Sequence, residues 1–153
     1  AGKLILIIVA NVVAFVALAA LIDAILALFW KQLSLESILG VIMFPFAWLL
    51  GLPVHQAWML SQDMGMKLVT NEFVVMGEVT GKIASYPHHL QAVLTTFVTS
   101  FANFGTLGMI IGCFKGIADK ETNDYIAQNI GYLLLSGILV SLLSAAFVGL
   151  FVW

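Results

Sequence analysis

Lys67, Asn71 and Glu72 stand together in Gly65-Met66-Lys67-Leu68-Val69-Thr70-Asn71-Glu72-Phe73-Val74-Val75-Met76, inside a chain that is 62% hydrophobic. A charged group whose surroundings resemble lipid costs about 2.5–3.5 kcal/mol on insertion scales, so such residues mark functional sites by default. A second polar group lies further on, in Ser100-Phe101-Ala102-Asn103-Phe104-Gly105-Thr106-Leu107-Gly108. A carboxylate accepts two hydroxyl protons, an amide both donates and accepts, and a hydroxyl adds a third partner. Glu72, Asn103 and Thr106 together suit a polyhydroxylated ligand, a sugar or a nucleoside, with Phe101 offering a ring to press on it. A bare anion would be repelled by Glu72.

Other reactive side chains lack the company that chemistry needs. His55 has no histidine or carboxylate three or four residues on, so it makes no zinc pair. The adjacent His88-His89 point to different helix faces and read as solvated loop residues. Cys113 is the single cysteine, which excludes an internal disulfide and a cysteine metal cluster. There is no His-Glu-x-x-His, no paired aspartate and no Ser/His dyad with supporting glycines, so no enzyme, resident metal or cofactor is expected. A net charge of -2 without any Lys/Arg run argues against a nucleic-acid partner.

The elements that must position the polar groups are membrane elements. Charged residues make up 9% of the chain, against about 25% in soluble domains, and the mean hydropathy is +1.10. The composition is that of an integral membrane protein in the lipid bilayer. Residues 4–30 form the first span, with Ala10, Ala14 and Ala17 beside Asn11 on a small-residue face and Asp23 at the interface near Trp30. The chain starts at Ala1, and this run is far longer than a signal-peptide core of roughly 7–15 residues. Ser34 is placed to cap a following helix. The apolar run 38–50 is too short to span, carries Pro45 as a kink or divide, and ends at Gly51 with Pro53 just beyond. Residues 34–77 therefore read as two short helical arms about a turn, a hairpin dipping into the membrane. The run 90–117 is a long apolar stretch whose polar, glycine-containing middle predicts a helix broken near mid-membrane. Gly108, Gly112 and Gly116 also repeat at helix-packing spacing. After a charged connection with Thr122 as a helix cap, 125–153 form the last span, its Gly137, Ser141, Ala145 and Gly149 in one close-packing stripe. The expected fold is an all-α membrane protein of about three long transmembrane helices and one re-entrant hairpin, one of the helices broken.

Gly-x-Lys-x-x-x-Asn-Glu-Phe-Val at residues 65–74 resembles the signature of the concentrative nucleoside transporter family. Ser100-Phe101-Ala102-Asn103-Phe104 with Gly105-Thr106-Leu107-Gly108 is similar to its second signature, and 38–53, with Phe-x-Pro, Ala47-Trp48 and Gly-x-Pro, to a third stretch. The likeness runs along essentially the whole chain but covers only the family's C-terminal part. It implies uptake of nucleosides by symport with sodium or protons, with alternating access, in a homotrimer of the plasma (inner) membrane. By that likeness residues 1–31 are a scaffold-type transmembrane helix, 32–80 the hairpin whose Glu72 holds the ribose, 81–118 the broken helix, and 119–153 the C-terminal helix. Asn103 and Thr106 would add ribose contacts, Phe101 a contact to base or sugar, and Lys67, Asn71 and Gly105 would support the motif.

The chain departs from the family pattern in two places. Gly105-Thr106 stands where Ser-Ser is common, which removes one hydroxyl, and Val75 stands where alanine is usual. The family's first hairpin, which reads the base, and the region that holds the coupling ion are absent from these residues, so a partner N-terminal half is implied. The alternative is a structural or accessory membrane subunit whose polar residues only join helices.

Overall fold

Four helices start at a residue whose side chain accepts a first-turn amide, namely Ser34, Asn71, Asn103 and Asp119, whereas those that begin at Val54, His88 and Ile130 have no side-chain cap. The computed structural model describes residues 2–31 and 33–153; within the first helix the side chains of residues 3, 4, 7, 8, 11, 12, 15 and 16, and so the expected role of Asn11, lie outside the described residues. Among the described residues every regular element is helical: α1 (Gly2–Phe29), α2 (Leu35–Leu49), α3 (Val54–Val69), α4 (Glu72–Val79), a 3-10 turn (Ile83–Ser85), α5 (His88–Val98), α6 (Phe104–Ile117), α7 (Lys120–Gln128) and α8 (Ile130–Phe151). Ser34 caps α2 as expected, in a reciprocal box with Ser37. Asp23 of α1 also accepts the Leu35 amide at 2.6 Å, so it serves the start of α2 and is more than an interfacial charge. Pro45 does not divide α2, which runs through it. Gly51, at φ +86, then takes the left-handed conformation that turns the chain into α3.

Two expected boundaries move. The cap before the last span is Asp119, whose carboxylate accepts the Thr122 amide at 2.7 Å; Thr122 is the donor, not the cap. The run expected as one helix from 125 is divided at Asn129, where α7 ends and α8 begins. The charged turn of α7 thereby stays separate from α8, which among the described residues is the helix long and apolar enough to cross a membrane.

Contacts fix the directions. Gly40 faces Gln62 and Gly65 faces Glu36 and Gly40, so α2 and α3 run antiparallel with their backbones nearly touching. A Cβ at Gly65 would lie 2.6 Å from the Gly40 nitrogen, and nothing larger than glycine is accommodated there. Gly137 on α8 faces Ala102, while Val152 meets His89 at the start of α5, so α5 and α8 are antiparallel. The expected stripe on α8 is the packing face: Ser141, Ala145 and Gly149 are buried. Gly108 and Gly112 are buried on α6, whereas Gly116 is exposed. The core joins α2, α3, α4, α5 and α8 through Met43, Leu60, Met64, Val75, Leu94, Phe97 and Ala145. A cavity of about 130 Å³ remains between α4 and α5, lined by Val75, Met76, Val79, Leu94 and Val98.

α1 packs chiefly on α6. Its Ala10, Ala14 and Ala17 are exposed, so among the described residues the alanines of the expected small-residue face are not buried against this chain. Leu6, Leu28 and Phe29 on α1 and Leu139, Leu143 and Leu150 on α8 are also exposed. Such continuous apolar surface marks contact with lipid or with another protein segment.

Candidate functional site

Two helix breaks, built alike, meet at one place. α3 stops at Val69, and Asn71 takes an extended conformation in which its side chain accepts the Val74 amide at 3.0 Å and so starts α4. α5 stops at Val98, and Asn103, also extended, accepts the Thr106 amide at 2.8 Å and starts α6. An asparagine is among the best N-caps because its short side chain reaches a free amide of the first turn. Each break therefore ends in a helix start with its positive dipole end directed at the junction.

Asn103 joins the two breaks. Its Nδ2 donates to Glu72 Oε2 at 3.0 Å, while its Oδ1 is held by the Thr106 amide. Asn103 is almost wholly buried, whereas Glu72, in the first turn of α4, is half-buried. The carboxylate thus lies at two favourable dipole ends with one oxygen held by the amide. Its other oxygen accepts no hydrogen bond from the described residues.

Lys67 is fully buried one turn before the first break. Its Nζ donates to Ser100 Oγ at 2.7 Å and lies 5.1 Å from the centre of the Phe97 ring, within the reach of a cation–π attraction. Ser100 in turn donates to the Phe97 carbonyl at 2.6 Å, closing the end of α5. The lysine ties the end of α3 to the end of α5, just as Asn103 ties the two following helix starts. Ser100 and Phe97 were not among the site residues the sequence singled out; the lysine in an apolar run, which requires an acceptor somewhere, was the available signal.

The remaining expected residues occupy distinct places. Thr106 is buried and its hydroxyl donates to the Phe101 carbonyl, so only its lone pairs stay free for another partner. Phe101 is 60% exposed, on the surface of the second break. Gly105 is buried beside the junction: a Cβ there would lie 3.1 Å from Asn103 Oδ1 and 3.9 Å from the Thr70 carbonyl. Glu72, Asn103, Thr106, Lys67, Asn71 and Gly105 are thus brought together, with Phe101 at the rim. His89 is a correction: the expected loop histidine is buried, at 8% exposure, while His55 and His88 are exposed.

The arrangement also places the junction along α8. α3 and α5 run side by side, since the turn before α3 touches His89 at the start of α5 and Lys67 touches Ser100 at its end. The second break faces Gly137, which lies about 20 Å along α8 from its C-terminal end at 1.5 Å per residue. The junction therefore lies beside α8 between its two ends.

The family described as Na+ dependent nucleoside transporter C-terminus matches residues 1–149. The purine nucleoside transport protein NupG of Bacillus subtilis is 51% identical over 151 residues, which make up 99% of this chain and 38% of NupG. The chain thus spans less than half the length of that relative. A structure of CNTnw in an outward-facing state matches with a TM-score of 0.89 at 28% identity, over 97% of this chain and 39% of that one. CNTnw in an inward-facing substrate-bound state matches with 0.72 at 30% identity, over 93% and 35%. Sequence, all-helical fold and solved relatives agree: the chain belongs to the concentrative nucleoside transporters as their C-terminal part, a family of integral membrane transporters and not of enzymes.

Proposed function

We propose that this chain is the C-terminal portion of a secondary active transporter that takes up nucleosides, and that it supplies the ribose side of the binding site. The observation that carries the reading is the hydrogen bond from Asn103 to Glu72. It joins two helix breaks and leaves the other carboxylate oxygen without a hydrogen bond from the described residues. A ribose presents neighbouring hydroxyls, and a carboxylate accepts from both while a charge-assisted bond is stronger than a neutral one. Thr106 contributes an acceptor and Phe101 an apolar face. Lys67, Asn71 and Gly105 shape the junction and do not touch substrate.

Residues 32–80 act as a re-entrant element, since irregular backbone at membrane depth is tolerated only where protein or a water-filled cavity satisfies it. Transport proceeds by alternating access coupled to a sodium gradient, in keeping with the sodium dependence in the family description. The fall in similarity from outward-facing to inward-facing CNTnw supports a boundary between moving parts inside this stretch of chain. α1 belongs to the static side, and its exposed apolar face meets other protein in a homotrimer. The coupling ion and the base are held by the N-terminal portion of the whole transporter, which resides in the plasma (inner) membrane.

The test uses the full-length transporter in vesicles. Glu72→Gln keeps the shape but loses the charge, and hydrogen bonds to charged groups are worth about 1.5–3 kcal/mol. Nucleoside uptake should fall about 10- to 100-fold with membrane abundance unchanged. Replacing sodium outside should abolish uptake by the parent protein. Full uptake by Glu72→Gln would remove the ribose role and favour a purely structural junction.

A further inference from the structure

His89 sits at the far end of α5 from the substrate junction, and its ring has more acceptors than a neutral imidazole can serve. Its Nδ1 lies 2.6 Å from the Val152 carbonyl, just past α8, and its Nε2 lies 2.9 Å from the Leu50 carbonyl, in the turn between α2 and α3. A neutral imidazole has one N–H and would set a lone pair against the second carbonyl; only the imidazolium donates to both. The ring also stacks on Trp153, with centres 4.5 Å apart and planes at 23°, a distance at which an aromatic face attracts a cation. The place is built for a ring. A Cβ at Gly149 would lie 3.1 Å from His89 Cε1, and one at Gly51, whose φ of +86 already favours glycine, 3.2 Å from the Trp153 ring.

We propose that His89 is a proton-operated clasp which, as the imidazolium, pins the α2–α3 turn to the C-terminal end of α8. Three elements meet at the ring, and among the described residues none brings a side-chain carboxylate to it: its hydrogen-bond partners are the two carbonyls. The other titratable side chains on those elements stand elsewhere, His88 beside it on α5, His55, Asp63 and Lys67 on α3, Glu36 at the opposite end of α2, and Tyr132 at the opposite end of α8. Loss of one ring proton leaves a lone pair facing a carbonyl, so one of the two ties opens. The turn or the end of α8 is then released at the membrane surface, and the outer end of α3 loses its anchor. A histidine is the side chain whose charge changes within the physiological pH range, which makes such a tie adjustable.

Amide exchange measured by mass spectrometry on the full-length transporter, corrected for the intrinsic pH dependence of exchange, reads the clasp. In the parent protein, peptides covering residues 50–53 and 149–153 should gain about 10-fold protection between pH 8 and pH 5.5. In His89→Gln, whose side-chain amide can hydrogen-bond but does not titrate, that gain should vanish. Protection that is constant with pH in the parent, or a pH-dependent gain that persists in His89→Gln, would overturn the proposal. Should His89→Gln fail to fold, Gly149→Ala, which crowds the ring without removing it, should reduce the gain. The parent measurement alone can refute the clasp.

Discussion

Asn103 has two jobs that a substitution can separate. Its Oδ1 caps α6 and its Nδ2 holds Glu72. Asn103→Asp keeps the cap acceptor but sets a second carboxylate against the first, and like charges at that distance disfavour each other. The full-length variant should keep its fold while losing at least about 10-fold in nucleoside affinity, which equilibrium binding of a labelled nucleoside measures. Asn103→Ala removes both contacts, and its thermal stability should fall as well, by about 1 kcal/mol for the cap alone. Asp119 offers a residue-scale pH effect outside the membrane. The Thr122 amide, and then its side chain, hold the Asp119 carboxyl below its ordinary value of 3.8. A depressed folded-state value means the capping contribution is complete above that ordinary value and is lost as pH falls through the lower one. Protection of the first α7 amides, corrected for the intrinsic pH dependence of exchange, should therefore stay constant from pH 8 to pH 5 and fall only below about pH 4.

Legibility at this scale followed from contrast. Glu72, Asn103 and Lys67 are polar residues in apolar runs, so their types alone pointed to a junction. The partners of Lys67 did not show, because Ser100 lies 33 positions away and only the parallel course of α3 and α5 brings it within reach. His89 was misread for the same reason: the carbonyls that bury it come from positions 39 residues before and 63 after.

At the scale of elements, the breaks were readable and the boundaries less so. Glycines, an amide and hydroxyls in the middle of 90–117 announced the second break, and Asn71 and Asn103 turned out to be the caps that restart each helix. The cap of α7 was read as Thr122 because threonine and aspartate are both good caps three positions apart, and only the backbone decides between them. The small residues of α8 were readable as one packing face because they recur at every fourth position. Gly65 shows the tightest demand. Its Cβ position is occupied by the α2 backbone, a neighbour that cannot rotate away as a side chain can. Gly65→Ala should force α2 and α3 apart and cost about 1–3 kcal/mol, the usual cost of overpacking. Thermal unfolding in detergent measures it. A variant as stable as the parent would contradict the close antiparallel contact of these helices.

At the scale of the whole molecule, one chain of helices carries a polar junction and large apolar faces that it does not itself cover. Composition made the membrane setting legible, since 9% charged residues cannot clothe a soluble surface. What the composition could not give is how the faces are shared between lipid and protein. The account predicts that α1 meets protein in the assembled transporter. A cysteine at Leu28, exposed on α1, should cross-link to another subunit of the full-length protein, whereas one at Leu143 on α8 should face lipid and remain reactive to lipid-soluble thiol reagents.

The central claim is that Glu72 recognises the ribose hydroxyls. Its most direct test is competition for uptake between a nucleoside and its 2′,3′-dideoxy analogue, in the full-length parent and in Glu72→Gln. The account predicts that the parent prefers the hydroxylated nucleoside by about 10- to 100-fold and that the variant discriminates far less, since the carboxylate that reads the hydroxyls is gone. An equal preference in both proteins would contradict the claim and assign the recognition of ribose to other residues.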